Sequence, residues 1–236
     1  MPIINMVYKK KKWWKPWANT IAYYPLETDT NDYSNNSHNW INYWTTFTTL
    51  SSGKKVWVFN GSAYIQIPDA QDMRGGNQWT MWVYLKKSSW WNVALDPFSK
   101  WVDSSYSSIV WRVWLRSDII NVIGYWINPS NNTNKPTYTW ATVLDWNWHH
   151  LIWTFNNWIY KLYWDWNLLQ TQDYSSNSYS FSSTWDSYIS WSRNPYESQV
   201  TYKRVWNMSE MIIENKARTA QEVSDYYNLT KSNYWY

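Results

Sequence analysis

Residues 145–170 read DWNWHHLIWTFNNWIYKLYWDWNLLQ, and this stretch decides the fold. The runs HHLIWTF and IYKLYW are dense in β-branched, aromatic and aliphatic residues, the composition of pleated strands. Between them stands Asn156-Asn157-Trp158, and after the second run Asp165-Trp166-Asn167. Both fall where a tight hairpin turn belongs. Such a turn asks for Asn-Gly or Asp-Gly, because both central residues take positive φ. Here tryptophan follows the Asn and the Asp, at a backbone cost of about 1–2 kcal/mol each. The spacing predicts two strands and the start of a third, with a local conflict in each turn.

The same conflict shows in the composition. The 236 residues include 25 Trp and only 5 Gly. At the usual frequency of about 7%, roughly 16 glycines are expected. All-β chains use glycine at turns and bulges. Two readings stay open. Either the protein is Trp-rich, or many Trp letters stand for glycine, as happens when a UGA codon that the cell reads as glycine is translated as tryptophan. Trp90, Trp91 and Trp101 also stand in glycine-like settings. A count of UGA against UGG codons separates the two readings.

With glycine in place of Trp146 and Trp166, the stretch resembles the laminin-G-like jelly roll of the concanavalin A-like lectin/glucanase superfamily. The family pattern is roughly G-x-W-H-H-V-A-x-T-Y, then L-Y-V-D-G. The matching residues are Trp148, His149, His150, Thr154, Phe155, Leu162, Tyr163 and Asp165. Trp148 and one of Trp79 and Trp82 stand where the family itself is aromatic. Other segments follow in family order: IAYYPLE from residue 21, VWVFNGSAYIQIP at 56–68, WTMWVYLK at 79–86 and DSYISWSR at 186–193. Phe59, Tyr64, Ile65 and Ile67 alternate as on a strand. Residues 108–116 and 118–127 read as a strand pair, and 88–108 as a long polar insertion. Residues 128–138 read as a Pro/Asn loop and 173–185 as an edge loop. At 203–223 a strand through Met211, Ile212 and Ile213 leads to Thr219-Ala220-Gln221-Glu222, a capping box that opens a helix to about residue 228.

The resemblance implies an all-β fold, a two-sheet antiparallel jelly-roll β-sandwich with one short C-terminal helix. It covers residues 20–228. Residues 1–19 read as a basic flexible linker, with an anchor to an anionic surface as the alternative, and 229–236 as a C-terminal tail. The five lysines before residue 18 account for the net charge of +4, so no basic face for nucleic acid is expected. The chain has no cysteine, so no disulfide framework is expected. No apolar run approaches the length of a transmembrane helix, and no membrane insertion is expected.

Three histidines are too few and wrongly spaced for zinc. Adjacent His149 and His150 face opposite sides of a strand, one packed and one exposed. Glycosidases need paired carboxylates, and no E-x-D-x-x-E strand pattern occurs, so catalysis is not expected. The remaining pairs fit poorly: Glu210 and Glu214 are too far apart along a strand, and Glu27 and Asp29 have the right separation but lie where another strand gives way to a loop. The resemblance also implies a calcium ion at the sandwich rim. Its oxygen ligands would come from Asp29, Asp32, Asn35 and Glu210, with Asn36 beside them. The alternative for that loop is an Asx-rich turn that caps its own backbone. The function implied is extracellular or cell-surface recognition of a glycan, or a structural adhesion role against other surface proteins.

Overall fold

The computed structural model describes residues 17–74, 76–88, 95–100, 110–115, 120–125, 137–139, 145–173, 175, 186–189 and 205–234. Residues 1–16, with the lysine run, and Trp90, Trp91 and Trp101 lie outside the described residues. Among the described residues there are fifteen strands: β1 (Thr20–Tyr24), β2 (Ile41–Tyr43), β3 (Thr46–Thr49), β4 (Lys55–Asn60), β5 (Tyr64–Ile67), β6 (Gln78–Lys87), β7 (Leu95–Lys100), β8 (Val110–Leu115), β9 (Ile120–Tyr125), β10 (Thr137–Thr139), β11 (Trp148–Asn156), β12 (Ile159–Trp164), β13 (Asn167–Asp173), β14 (Ser187–Ile189) and β15 (Val205–Glu214). One α-helix, α1, spans Ala220–Thr230.

The strands form two antiparallel sheets. The first is ordered β13-β12-β11-β6-β15-β4-β3, with β1 also on β15; the second is β10-β9-β8-β7-β14-β5-β2. The main core lies between them. Trp57, Phe59, Trp153, Phe155, Trp206 and Met208 come from the first sheet, and Ile65, Ile67, Phe98 and Ile189 from the second. Truncating a fully buried tryptophan such as Trp57 to alanine costs about 3–5 kcal/mol.

The first sheet is covered on its other face as well. Tyr23, Trp82, Tyr84, Trp148, Ile152, Tyr163 and Ile212 pack there against Val223 and Tyr226 of α1 and against Tyr234. This explains why residues 79–85 are apolar apart from Thr80, which bonds the Lys216 carbonyl. A strand buried on both faces does not alternate between apolar and polar positions, and each of those residues is buried.

The two expected hairpins form. β11 pairs with β12 in register from Leu151↔Trp164 to Asn156↔Ile159, and β12 pairs with β13. Their turns take positive φ at both central residues: Asn157 +45° and Trp158 +75°, then Asp165 +48° and Trp166 +70°. Trp44 also lies in this region, at +64°. In the first loop Asn35 (+78°) and Ser37 (+62°) also take left-handed backbone.

A bulge interrupts β15 against β6 between Ser209 and Ile212. Its extra residue, Glu210, has φ +53°. The bulge shifts side-chain parity, so Trp206 and Met208 before it, and Met211 and Ile213 after it, all face the main core.

Three expectations need correction. The polar insertion at 88–108 contains β7, whose Phe98 is in the core. The Pro/Asn loop at 128–138 ends in β10, at Thr137–Thr139. The tail assigned to 229–236 is folded at least through Tyr234, because α1 runs to Thr230 and a 3₁₀ turn at Lys231–Asn233 buries the Tyr234 ring. The apolar spacing of that segment is too short to reveal the docking that a tertiary neighbour supplies.

Candidate functional site

Three constellations among the described residues are candidates for a site: the loop after β1, the clamp around His149, and an aromatic strip on the second sheet.

In the loop, both oxygens of Asp32 are fully engaged. Oδ1 accepts the backbone N–H of Tyr23 (2.9 Å) and of Ser34 (2.8 Å). Oδ2 accepts the Ser34 hydroxyl (2.7 Å) and the His38 N–H (3.0 Å). Asp29 accepts the Asn31 N–H at 3.0 Å and the Tyr33 hydroxyl at 2.9 Å. Asn36 donates to the carbonyl of Ile21 (2.7 Å), stitching the loop to β1. Glu210 instead accepts from the Tyr234 hydroxyl at 2.7 Å, with the Lys54 ammonium 3.7 Å away. Lys54 also donates to Glu27 at 3.4 Å. Among the described residues no group of three or more His, Asp or Glu could hold a metal ion. Of the expected calcium ligands Asp29, Asp32, Asn35 and Glu210, the first three lie on one loop, where Asp32 accepts from four donors, and Glu210 serves the helix side of β15. The geometry is that of the self-capping turn.

His149 lies between two carboxylates. Nδ1 is 2.7 Å from Asp165 Oδ2, and Nε2 is 2.8 Å from Asp145 Oδ1. Neutral imidazole has a single N–H, so two carboxylate acceptors require the imidazolium. Burial, the largest influence, pushes its pKa down, but the hydrogen bonds and charges of Asp165 and Asp145 outweigh this and the net shift is upward. Asp165 Oδ1 also accepts the His150 N–H at 2.8 Å. The family-like Trp-His-His and Asp thus lock the start of β11 to the β12–β13 turn. His150 faces the other way, as alternation predicts, but neither histidine is simply exposed. His150 is fully buried, stacks on Tyr84 (ring centroids 4.2 Å apart, 8° between planes), and burial lowers its pKa to about 3.

The third constellation was not foreseen. On β5, Ile65 and Ile67 point into the core, so Tyr64 and Gln66 point outward. Tyr43 on β2 is the register partner of Tyr64, and their rings stack with centroids 4.3 Å apart at 11°. The Tyr43 hydroxyl donates to Gln66 Oε1 at 3.0 Å, and Gln66 Nε2 donates to Asp186 Oδ2 at 2.5 Å. Asp186 Oδ1 accepts the Asp69 N–H at 2.9 Å. On β14, Tyr188 is the register partner of Gln66, with its ring 6.4 Å from Tyr64. Trp44, 70% exposed, stands edge-on beside both tyrosines of the pair. The result is a strip of aromatic rings bordered by an amide and a carboxylate. Burial, and then the adjacent Tyr43, raise the Tyr64 pKa, so its hydroxyl stays neutral. The available signal in the sequence was the alternation in YIQI, which sets Tyr64 and Gln66 on one face; the partner strand β2 is only three residues long.

No family model matches the sequence, and no curated protein matches it either. Solved structures do share its fold. It is similar to the binding domain of Paraclostridial mosquitocidal protein 1, with 13% identity, TM-score 0.69, and coverage of 89% of this chain and 52% of that one. It is similar to domain 4 of AbnA, a GH43 extracellular arabinanase from Geobacillus stearothermophilus, solved in complex with arabinotriose. There the identity is 16% and the TM-score 0.65, over 88% of this chain and 97% of that one. It is also similar to the binding domain of botulinum neurotoxin DC in complex with rat synaptotagmin II, with 11% identity and TM-score 0.63, over 89% and 51%. The chain spans about half the length of the toxin binding domains and nearly all of the arabinanase domain. At these identities the likeness shows the fold, a β-sandwich shared with binding domains.

Proposed function

We propose that this domain is a non-catalytic carbohydrate-binding module that acts outside the cell, on the laminin-G-like, concanavalin A-like branch of β-sandwiches. The observation that carries the reading is the outward strip of Tyr43, Tyr64, Gln66 and Asp186. Sugar sites pair flat apolar surface with a few placed polar groups. Aromatic rings supply the first and the amide and carboxylate the second. The arabinanase domain, matched over nearly its whole length and solved with arabinotriose, supports this reading. The branch assignment rests on the Trp148, His149, His150 and Asp165 pattern, and it treats the left-handed Trp158 and Trp166 as glycine positions.

Because Asp32 is engaged within its own loop, sugar binding is read as calcium-independent. A glycan array followed by isothermal titration tests the function. Saturable binding of a glycan, unaffected by EDTA and weakened at least about tenfold by Tyr64→Ala, is expected. Binding that requires calcium would restore the four-residue site.

A second reading is a domain that binds a protein receptor, favoured by the neurotoxin binding domain solved with synaptotagmin II. A silent array together with saturable binding to surface proteins selects it.

A further inference from the structure

The layer behind the first sheet encloses a buried imidazole with nothing to bond. His150 is fully buried, and neither Nδ1 nor Nε2 has a hydrogen-bond partner among the described residues. Its ring lies flat on Tyr84 of β6 and 5.5 Å from the Tyr226 ring of α1, with Trp82 at 5.7 Å and Tyr227 at 6.3 Å. Helix α1 thus covers it. A neutral imidazole carries one donor and one acceptor, and leaving both unpaired in the interior costs stability. An imidazolium there costs more, because a full charge and two N–H donors lose water. The surroundings give such a charge no partner. Burial raises the pKa of Tyr84, Tyr163, Tyr226 and Tyr234, so these hydroxyls stay neutral, and that of Tyr227 is pushed up to about 12. The carboxylates that face the layer are each engaged already. Asp165 holds His149 and the His150 backbone N–H, Glu210 holds the Tyr234 hydroxyl, and Glu214, beyond Trp82, holds Arg218. Lys86 of β6 and Lys231, 5.4 Å from the Tyr227 ring, add only positive charge.

We propose that His150 is an acid trigger for α1: when its imidazole takes up a proton, the helix and the 3₁₀ turn after it lift from the back of the first sheet while the core between the two sheets holds. This is independent of what the domain binds. The architecture permits the separation. The main core is built by the two sheets, and the layer under α1 is a second cluster on the far face of the first. Lifting α1 gives the imidazolium water and uncovers Trp82, Tyr84 and Tyr163 beside it. The sign follows from linkage. The His150 pKa is about 3 when covered, against about 6.5 in water. The lifted state therefore binds the proton more tightly. Closure is at full strength above about pH 6.5 and weakens about tenfold per unit as pH falls toward 3. At pH 5 the lifted population is about 30-fold higher than at pH 7.5. Two other groups act in other windows. The contribution of His149, on the opposite face of β11, changes above about pH 6.5. The Glu222 bonds at the start of α1 weaken below about pH 4.5. The interval from pH 6.5 to 4.5 separates His150 from both.

The test is amide hydrogen exchange on the whole chain from pH 7.5 to 4.5, with each rate divided by its intrinsic rate at that pH. Protection factors in the second half of α1 are expected to fall about 30-fold by pH 5. They are also expected to lie below those of the central β6–β11 pairs throughout. Protection in α1 that is flat with pH overturns the proposal, because His150 then stays covered when the helix lifts. A single protection factor for α1 and for β6–β11 overturns it too, because α1 then leaves only with the whole fold. His150→Gln keeps a polar side chain that does not titrate, and His150→Phe keeps a flat ring on Tyr84. In either variant the α1 protection is expected to be flat over the same range. The parent's pH slope persisting in a folded variant assigns the trigger to another group and overturns the proposal. If neither variant folds, the parent's slope and its contrast with β6–β11 decide the matter.

Discussion

At the residue scale, the informative side chains are those that disagree with their backbone. Trp158 and Trp166 occupy positive φ in hairpins whose turn chemistry was readable from Asn157 and Asp165 alone. Removing the Cβ relieves about 1–2 kcal/mol of backbone strain at each position. The net gain differs, because Trp158 packs on Phe155 with ring centroids 5.6 Å apart, and Trp166 on Tyr227 at 4.6 Å. The double variant Trp158→Gly/Trp166→Gly is expected to melt higher than the parent. Trp82→Gly is expected to melt much lower, since Trp82 is fully buried and its indole donates to Glu214 at 2.8 Å. Thermal unfolding of the two variants therefore sorts the tryptophans into glycine positions and true aromatics. Peptide masses of the protein from its own cell provide the independent check: glycine at 158 and 166, tryptophan at 82. Trp44 could not be sorted by sequence, because it follows no Asn or Asp and its corner exists only once β2 and β3 join different sheets.

His149 gives a second test at this scale. Its folded pKa is raised above the ordinary value of 6.5. The folded state therefore binds the proton more tightly than the unfolded chain. The stabilisation is fully present below about pH 6.5 and is lost as pH rises through the folded pKa. His149→Gln should remove this dependence as well as the clamp. Denaturant midpoints measured from pH 5 to 9 are expected to fall on the alkaline side in the parent and to stay flatter in the variant.

At the element scale, helix α1 is held by charge as much as by packing. Glu214, fully buried on β15, accepts from Trp82 and from Arg218 Nε at 2.8 Å, and Arg218 Nη1 reaches Glu222 at 2.8 Å. The Trp17 ring lies 3.8 Å from the guanidinium carbon. Arg218→Met leaves the Glu214 carboxylate buried without its cation, a loss of about 3–5 kcal/mol. The capping box was legible from Thr219 and Glu222 and forms with both bonds. Thr219→Ala should cost about 1 kcal/mol. The buried ionic arm was not legible, because nothing in a single sequence shows that residues 82, 214 and 218 meet. Acid tests the same element. Burial works to raise the Glu222 pKa, but the bonds from Lys216, the Thr219 backbone and Arg218 bring it down to about 2. That stabilisation is present above about pH 4.5 and is lost as pH falls toward 2. An acid-unfolding curve should steepen in this range for the parent and less so for Glu222→Gln.

At the scale of the whole molecule, the motif order gave the sandwich, but the boundaries and the site depended on contacts between distant segments. The strip joins residues 43, 64 and 66 to residue 186, and the C-terminal end closes the back of the first sheet. This second closure is directly testable. Tyr234 packs on Tyr84 with ring centroids 3.9 Å apart, and its hydroxyl donates to Glu210. The Thr230 hydroxyl pairs with that of Tyr84 in the same buried layer. A chain ending at Asn228 therefore uncovers Tyr84 and takes the Tyr234 hydroxyl from the Glu210 carboxylate, with Lys54 still 3.7 Å away. Losing the packing of one buried aromatic costs about 3–5 kcal/mol, and the lost hydrogen bond to a charged group adds about 1.5–3. That total approaches the whole stability of a typical domain. The truncated protein should show a sharply lower denaturant midpoint, or fail to accumulate folded. Tyr234→Phe keeps the ring and removes only the hydroxyl, so it isolates the Glu210 bond and should cost about 1–3 kcal/mol. If the truncated chain unfolds at the parent's midpoint, residues 229–236 are a tail after all, and the layer behind the first sheet stands on α1 alone.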